Sequence, residues 1–89
     1  MNKKKVKYFF NEGDILIKKN CTDELEIIKI ISFCELFNNC FYYIHKKLLI
    51  TKDKIFFYDK HISTITLIHE YYKKYNGKNI TKFIRIFNK

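Results

Sequence analysis

LEIIKIISFCELF, residues 25–37, is the stretch that decides which fold this chain adopts. As a helix, it would begin with a capping box from Asp23 to Glu26 and gather its apolar side chains on one face. As a strand, it would run to a turn at Asn38-Asn39 and pair with the residues that follow. The Ile residues on either side of Lys29 disfavour a helix, because β-branched side chains lose rotamer freedom there. We therefore predict a strand and keep the helix as the alternative.

The chain on both sides of this stretch divides into short β-branched and aromatic runs separated by polar residues. Such runs predict strands, and the polar residues between them predict turns. Asn11–Asp14 would form one turn, and Lys52-Asp53 has the length of a two-residue hairpin loop. The predicted strands are Val6–Phe10, Ile15–Lys19, Phe41–Ile44, Leu48–Thr51 and Lys54–Tyr58.

The last third of the chain predicts a helix followed by a strand. Residues 61–75 have apolar side chains at helical spacing, Ser63 can cap their start, and Asn76-Gly77 can stop the helix. Residues 80–87 alternate in a way typical of a strand.

These elements predict an α+β fold in a single domain of residues 1–89, with residues 1–4 as a flexible basic N-terminus. The sheet would be small and mostly antiparallel, or closed into an SH3-like or OB-like partial barrel. One C-terminal helix, at about residues 63–76, would precede a final strand. A chain of 89 residues with 47% apolar content is long enough to bury one core and too short for a two-domain enzyme.

Composition narrows where the protein works. No apolar run approaches the roughly 18 residues that a membrane span needs, and the start of the chain lacks a signal-peptide core. The three Cys are an odd number without a CxxC pair, which favours a reducing compartment. We predict a cytoplasmic protein, in a bacterial host if the chain is phage-encoded.

The net charge of +9 has to be discounted as evidence for a partner. Seventeen of the eighteen basic residues are Lys, and the chain is rich in Ile and Asn while lacking Ala and Pro. This usage follows AT-rich codons, so part of the charge reflects the base composition of the source genome.

The sequence offers little for catalysis or metal binding. Two Gly are too few to write a phosphate-binding loop or a dinucleotide fingerprint. Ser63 and His69 lie in no hydrolase or metalloprotease motif. The set Cys34, Cys40 and His45 matches no zinc-module spacing, and Cys40 and His45 would point to opposite faces of one strand. We predict a non-enzymatic protein with no metal and no cofactor.

Lys residues interleaved with aromatic residues favour nucleic-acid binding. On extended strands Lys5 and Lys7 share a face, as do Lys54, Phe56, Tyr58 and Lys60. Rings stack on bases and Lys binds phosphates, while the single Arg leaves little for guanine recognition, so binding would tolerate many sequences. The predicted contact residues, for DNA, RNA or another partner, are Lys5, Lys7, Tyr43, Lys46, Lys47, Lys54, Phe56, Tyr58, Lys60, Lys73, Lys74 and Arg85.

The alternative is a protein-binding module. Sixteen Phe and Tyr residues exceed what one small core needs, and exposed Tyr is favoured at interfaces. A small domain of this kind resembles in general character a phage or mobile-element inhibitor of the anti-CRISPR or counter-defence type, which blocks a host nucleic-acid-handling complex. A homodimer, through an edge strand or through Tyr71, Tyr72 and Tyr75, is a further possibility. We predict no membrane partner.

Overall fold

The computed structural model describes residues 10–36 and 40–88. Five antiparallel strands form one open sheet in the order β4-β3-β2-β1-β5, with one helix against each face. The elements are β1 (Ile15–Lys18), β2 (Leu25–Leu36), β3 (Cys40–Ile50), β4 (Ile55–Thr64), α1 (Ile65–Tyr71), β5 (Tyr72–Lys74) and α2 (Ile80–Phe87). The α+β class and the antiparallel sheet are confirmed, and the sheet is open, without the closure of a partial barrel.

Residues 25–36 form a strand, which confirms the prediction for the deciding stretch. β2 lies near the middle of the sheet, paired with β3 over its whole length and with β1 over its first half. Ile27 points to one face and Ile28 to the other, and both are fully buried because both faces of the sheet are covered. Burial on both faces removes the alternation that normally marks a strand, which explains why this segment also fitted a helix.

The face covered by α1, here the α1 face, holds the first core cluster. α1 directs Ile68 onto the sheet, and Phe10 lies beside the ring of Tyr43. The backbone N–H of Phe10 donates to the Tyr43 hydroxyl at 3.3 Å. The buried residues of this cluster are Phe10, Leu16, Ile28, Ile30, Tyr43, Ile68 and Tyr72.

The opposite face, here the α2 face, holds the second cluster. Its buried members are Ile15, Ile27, Leu48, Phe83 and Phe87. Two lysines from the sheet bind the end of α2: Lys46 Nζ donates to the Phe87 carbonyl at 3.1 Å, and Lys29 Nζ donates to the side chain of Asn88. A cation at the C-terminus of a helix also interacts favourably with the helix dipole.

The helix predicted for residues 61–75 is much shorter than expected. β4 continues to Thr64, because residues 61–64 pair with β3, and the Thr64 hydroxyl rather than Ser63 caps the helix by accepting from Leu67 N–H. The helix ends at Tyr71, after which Tyr72–Lys74 pair with β1 as β5. The predicted order of a helix and then a final strand is confirmed, although β5 lies within the residues that were predicted as helix.

The prediction of a strand at residues 80–87 was wrong, because this segment is helix α2. Ile80, Phe83 and Phe87 fall at helical spacing, and the two Phe side chains are buried against the sheet. The apolar spacing of residues 80–87 fits both a strand and a helix. The helix forms because it buries two Phe side chains on the apolar α2 face, and this packing outweighs the low helix propensity of the β-branched residues.

Two irregularities set which side chains share a face. β2 has an extra residue, Ile31, between its pairs with His45 and Ile44. β4 has an extra residue at Asp59-Lys60, opposite Lys46. Because side chains alternate along a strand, each β-bulge shifts the alternation of the residues beyond it by one.

The remaining predicted elements agree with the structure in part, and some lie outside the described residues. The turn at Asn11–Asp14 is present, with Gly13 at a positive φ of 89°. Phe41–Ile44 and Leu48–Thr51 belong to one continuous strand, β3, instead of two. The predicted strand at Val6–Phe10, except for Phe10, and the flexible residues 1–4 lie outside the described residues.

Candidate nucleic-acid interface

A row of rings lies along the α1 face of β4. Phe56 and Tyr58 are two residues apart, and the bulge at Asp59-Lys60 returns His61 to the same face. Phe56 is 41% exposed and Tyr58 is 39% exposed, while His61 is half-buried. The edge of Tyr58 contacts His61, with ring centroids 5.1 Å apart. We call Phe56, Tyr58 and His61 the ring row.

Lys47 on β3 lies beside the ring row. It pairs with Tyr58 across the strands, and its Nζ is 6.0 Å from the Tyr58 ring centroid. The same Nζ is 3.6 Å from Glu26 Oε2, and Glu26 also accepts a hydrogen bond from the Tyr72 hydroxyl. Lys47 is therefore held beside the Tyr58 ring by the Glu26 carboxylate, which the Tyr72 hydroxyl holds in place.

His45 supports the ring row from the interior of the sheet. It is 1% exposed, its ring stacks on His61 at 5.8 Å, and its Nε2 lies 3.0 Å from Ser63 Oγ. Burial lowers the pKa of His45 to about 4. A contact with the Lys46 backbone acts in the opposite direction, and the charges of Lys47 and His61 lower the pKa further. His45 is therefore neutral at pH 7 and adds no charge beneath the rings.

Two further cations lie on the same edge of the molecule. Lys54 ends the turn before β4, where its N–H donates to the Thr51 hydroxyl and its carbonyl accepts from the Thr51 N–H. Lys60 is in the bulge. Both residues are exposed, so their side chains are accessible to a phosphate.

Five of the predicted contact residues lie on β4, in the turn before it or on the adjoining part of β3, and of these Lys47, Phe56 and Tyr58 share the α1 face. The five are Lys47, Lys54, Phe56, Tyr58 and Lys60. This group contains the run of residues 54–60 that the sequence singled out.

Tyr43 has to be removed from the predicted set. Its side chain is fully buried against Phe10 and Phe33, and its hydroxyl accepts from a backbone N–H. The bulge at Ile31 places Phe33 on the same face as Tyr43, so this ring belongs to the core and cannot stack on a base.

The other predicted cations lie elsewhere. Lys46 points to the α2 face, where it binds Phe87 and lies 3.8 Å from Asp59 Oδ1, and Arg85 is on α2. Lys73 and Lys74 are on β5, at the opposite edge of the sheet, and Lys74 lies 3.7 Å from Asp14 Oδ2. Lys5 and Lys7 lie outside the described residues.

The tyrosines 71, 72 and 75 do not form one stripe. Tyr72 is buried in the α1-face cluster, whereas Tyr75 packs against Phe83 on the α2 face. The helix ends at Tyr71, so the helical spacing that would have aligned these residues stops there.

The described residues offer a limited chemical inventory. Among residues 10–36 and 40–88, no group of three or more His, Cys, Asp or Glu could hold a metal ion. The side chains of Cys34 and Cys40 lie on the α2 face and that of His45 lies on the α1 face. The three residues that the sequence offered as metal ligands are therefore on opposite sides of the sheet. Ser63 Oγ and His45 Nε2 have the spacing of a nucleophile and a base, at 3.0 Å.

His61 lies outside the predicted set of contact residues. The sequence predicts a helix at this position, because a bulge has no simple sequence signal and the strand before it was expected to end at Tyr58. The Asp59-Lys60 pair within an otherwise apolar and aromatic run is the one indication of an irregularity there.

Comparison with protein-family models finds no match, and the curated proteins and the solved structures give none either. In the part of the chain that the structure describes, neither helix has the length and apolar content to cross a membrane.

Proposed function

We propose that this protein binds single-stranded nucleic acid, with little sequence preference, through the ring row and the neighbouring lysines. The observation behind the proposal is that Phe56, Tyr58 and His61 share one face of an edge strand, with Lys47 at 6.0 Å from the central ring. The protein would act in the cytoplasm without catalysis, metal or cofactor.

The spacing of the rings supports an extended single strand as the ligand. Residues two apart on a strand are roughly 6.6 Å apart, too far for bases stacked on one another and suitable for bases that each stack on a separate ring. A duplex hides the faces of its bases within the stack, so it would leave these exposed rings without a partner.

The charges around the ring row support a backbone contact. Lys47 Nζ lies 6.0 Å from the Tyr58 ring centroid, Lys54 and Lys60 are exposed at the two ends of residues 54–60, and the remainder of the net charge of +9 adds a general attraction for phosphates. Glu26 offsets part of the Lys47 charge, so Lys54 is the cation whose loss we expect to weaken binding most.

The second prediction from the sequence, an inhibitor that binds a host nucleic-acid-handling protein, stays a prediction. Exposed aromatic residues would serve a protein interface equally, but the position of Lys47 beside the exposed rings on one face favours nucleic acid.

The test is fluorescence anisotropy of labelled single-stranded DNA, single-stranded RNA and duplex DNA across a salt series. We expect Phe56→Ala and Tyr58→Ala each to weaken single-strand binding by at least about fivefold, since stacking contributes about 1–3 kcal/mol per base. Lys54→Glu should also reduce the steepness of the salt dependence, by about 0.7 for each phosphate that the variant no longer neutralises.

Matched controls exist outside β4 and the adjoining part of β3. Tyr71→Ala removes a ring that is 49% exposed on α1, and Lys78→Glu reverses an exposed charge before α2. Loss of binding in the controls equal to that in the ring-row variants would reduce the effect to general charge and contradict the proposal. Capture of a protein without any single-strand binding would favour the inhibitor.

A further inference from the structure

We propose that two copies of this chain associate through β4, with the edges that face away from β3 pairing antiparallel across a twofold axis. Within the described residues β4 pairs with β3 alone and forms one edge of the sheet. It is ten residues long, or about 33 Å at the rise of an extended chain. A long exposed edge strand presents unpaired backbone groups that a second strand can bind. This inference does not depend on the proposed function.

The side chains of β4 on the α2 face are apolar and exposed. Ile55 is 66% exposed, Phe57 is 44% exposed and Ile62 is 46% exposed, although Phe57 contacts Phe87 on one side. Exposed apolar side chains along an unpaired edge make association favourable, because pairing removes their surface from water.

The two charged residues of the bulge select the register. If Asp59 of one copy lies opposite Lys60 of the second copy, the twofold axis places Lys60 opposite the second copy's Asp59. A shift by one residue in either direction sets Asp59 opposite Asp59 or Lys60 opposite Lys60. Larger shifts that keep both charges opposite residues of β4 leave each of them without an opposite charge. Charge complementarity therefore favours one alignment.

The faces of the strand agree with this register. Opposing residues in an antiparallel pair point to the same face of the sheet. The register places Phe57 opposite Ile62 of the second copy and Tyr58 opposite its His61. The bulge puts Phe57 and Ile62 on the α2 face, and Tyr58 and His61 on the α1 face, so both pairs match.

The experiment is light scattering coupled to size exclusion, at micromolar and higher concentrations, on the full chain and two charge-reversal variants. The wild type should have twice the monomer mass of 11.0 kDa. Asp59→Lys places lysines opposite lysines, and Lys60→Asp places aspartates opposite aspartates, so each variant alone should be monomeric. Mixed in equal amounts, the two variants should form a heterodimer, because each opposed pair is then complementary.

Mixing the two variants distinguishes a lost interface from a misfolded chain. Asp59 is exposed and its contact with Lys46 is long, so neither variant should lose the fold, and recovery of the dimer on mixing demonstrates competent chains. A monomeric wild type, variants that remain dimeric alone, or folded variants that stay monomeric when mixed would each overturn the proposal. None of these outcomes bears on nucleic-acid binding, which is measured separately.

Discussion

His45 is the residue whose chemistry depends most on the fold. An exposed imidazole titrates near neutral pH, but burial behind the ring row lowers the pKa of His45 to about 4. The folded protein therefore keeps a neutral ring at a pH where the unfolded chain binds a proton. Stability is linked to pH through this difference.

We expect the free energy of unfolding to fall as the pH drops from about 6.5 to about 4, by up to about 3 kcal/mol from this one residue. Above pH 6.5 protonation of His45 no longer lowers the free energy of unfolding, because neither the folded nor the unfolded state then holds the proton. Urea unfolding at a series of pH values measures it. His45→Gln cannot titrate and should show a flatter profile over this range. An equally steep profile in the variant would assign the effect to other groups.

At the scale of elements, α2 is the clearest case in which tertiary packing outweighs intrinsic helix propensity. The helix follows no side-chain cap and contains three Ile among its eight residues, yet it covers the α2 face. Phe83 and Phe87 supply the contact, and Lys46 binds the last carbonyl.

Replacing Phe87 by Ala should therefore cost about 3–5 kcal/mol of folding free energy, the usual range for a fully buried Phe. Ile84→Ala is the matched control, because Ile84 lies on the same helix but is 37% exposed. Urea unfolding should show a much larger loss for the Phe87 variant. Similar losses in both would mean that α2 does not pack against the sheet through this side.

The elements also show what sequence can and cannot predict here. Composition and turns predicted β1, β2 and β3 and the first part of β4, since each is a β-rich run bounded by polar residues. The length of β4 and the helical state of residues 80–87 depend on partners distant in sequence. The two bulges depend on local register, and without them neither the burial of Tyr43 nor the position of His61 follows.

For the candidate site, the sequence predicted the run of residues 54–60 because interleaved lysines and rings are visible without a structure. It could not separate Lys46 from Lys47, which are adjacent in the chain and point to opposite faces of the sheet. Nor could it place Lys73 and Lys74 on the far edge, since strand order is a property of the whole sheet.

On the scale of the whole molecule, the described residues form an elongated body of 51 × 25 × 22 Å. The hairpin of β2 and β3 sets the long direction, and β4 follows β3 along one side. Two such bodies joined along β4 would form one continuous sheet and bring two ring rows together across the axis.

Association through β4 makes thermal stability depend on concentration, because dimerisation stabilises the folded state by mass action. The Tm of the wild type should rise with protein concentration, while that of Asp59→Lys should stay constant. Differential scanning calorimetry over a wide concentration range distinguishes the two. A wild-type Tm independent of concentration would argue against the dimer.

The bulge in β4 also has a consequence for the gene. In a regular strand, the loss of one codon inverts the facing of every residue beyond it, which would move His61 away from Tyr58 or Phe57 away from Ile62. The extra residue at Asp59-Lys60 is the exception, because removing it leaves a regular strand whose flanking side chains keep their faces. A single-codon deletion should therefore keep the facing of the flanking side chains at this point of β4 and invert it elsewhere along the strand.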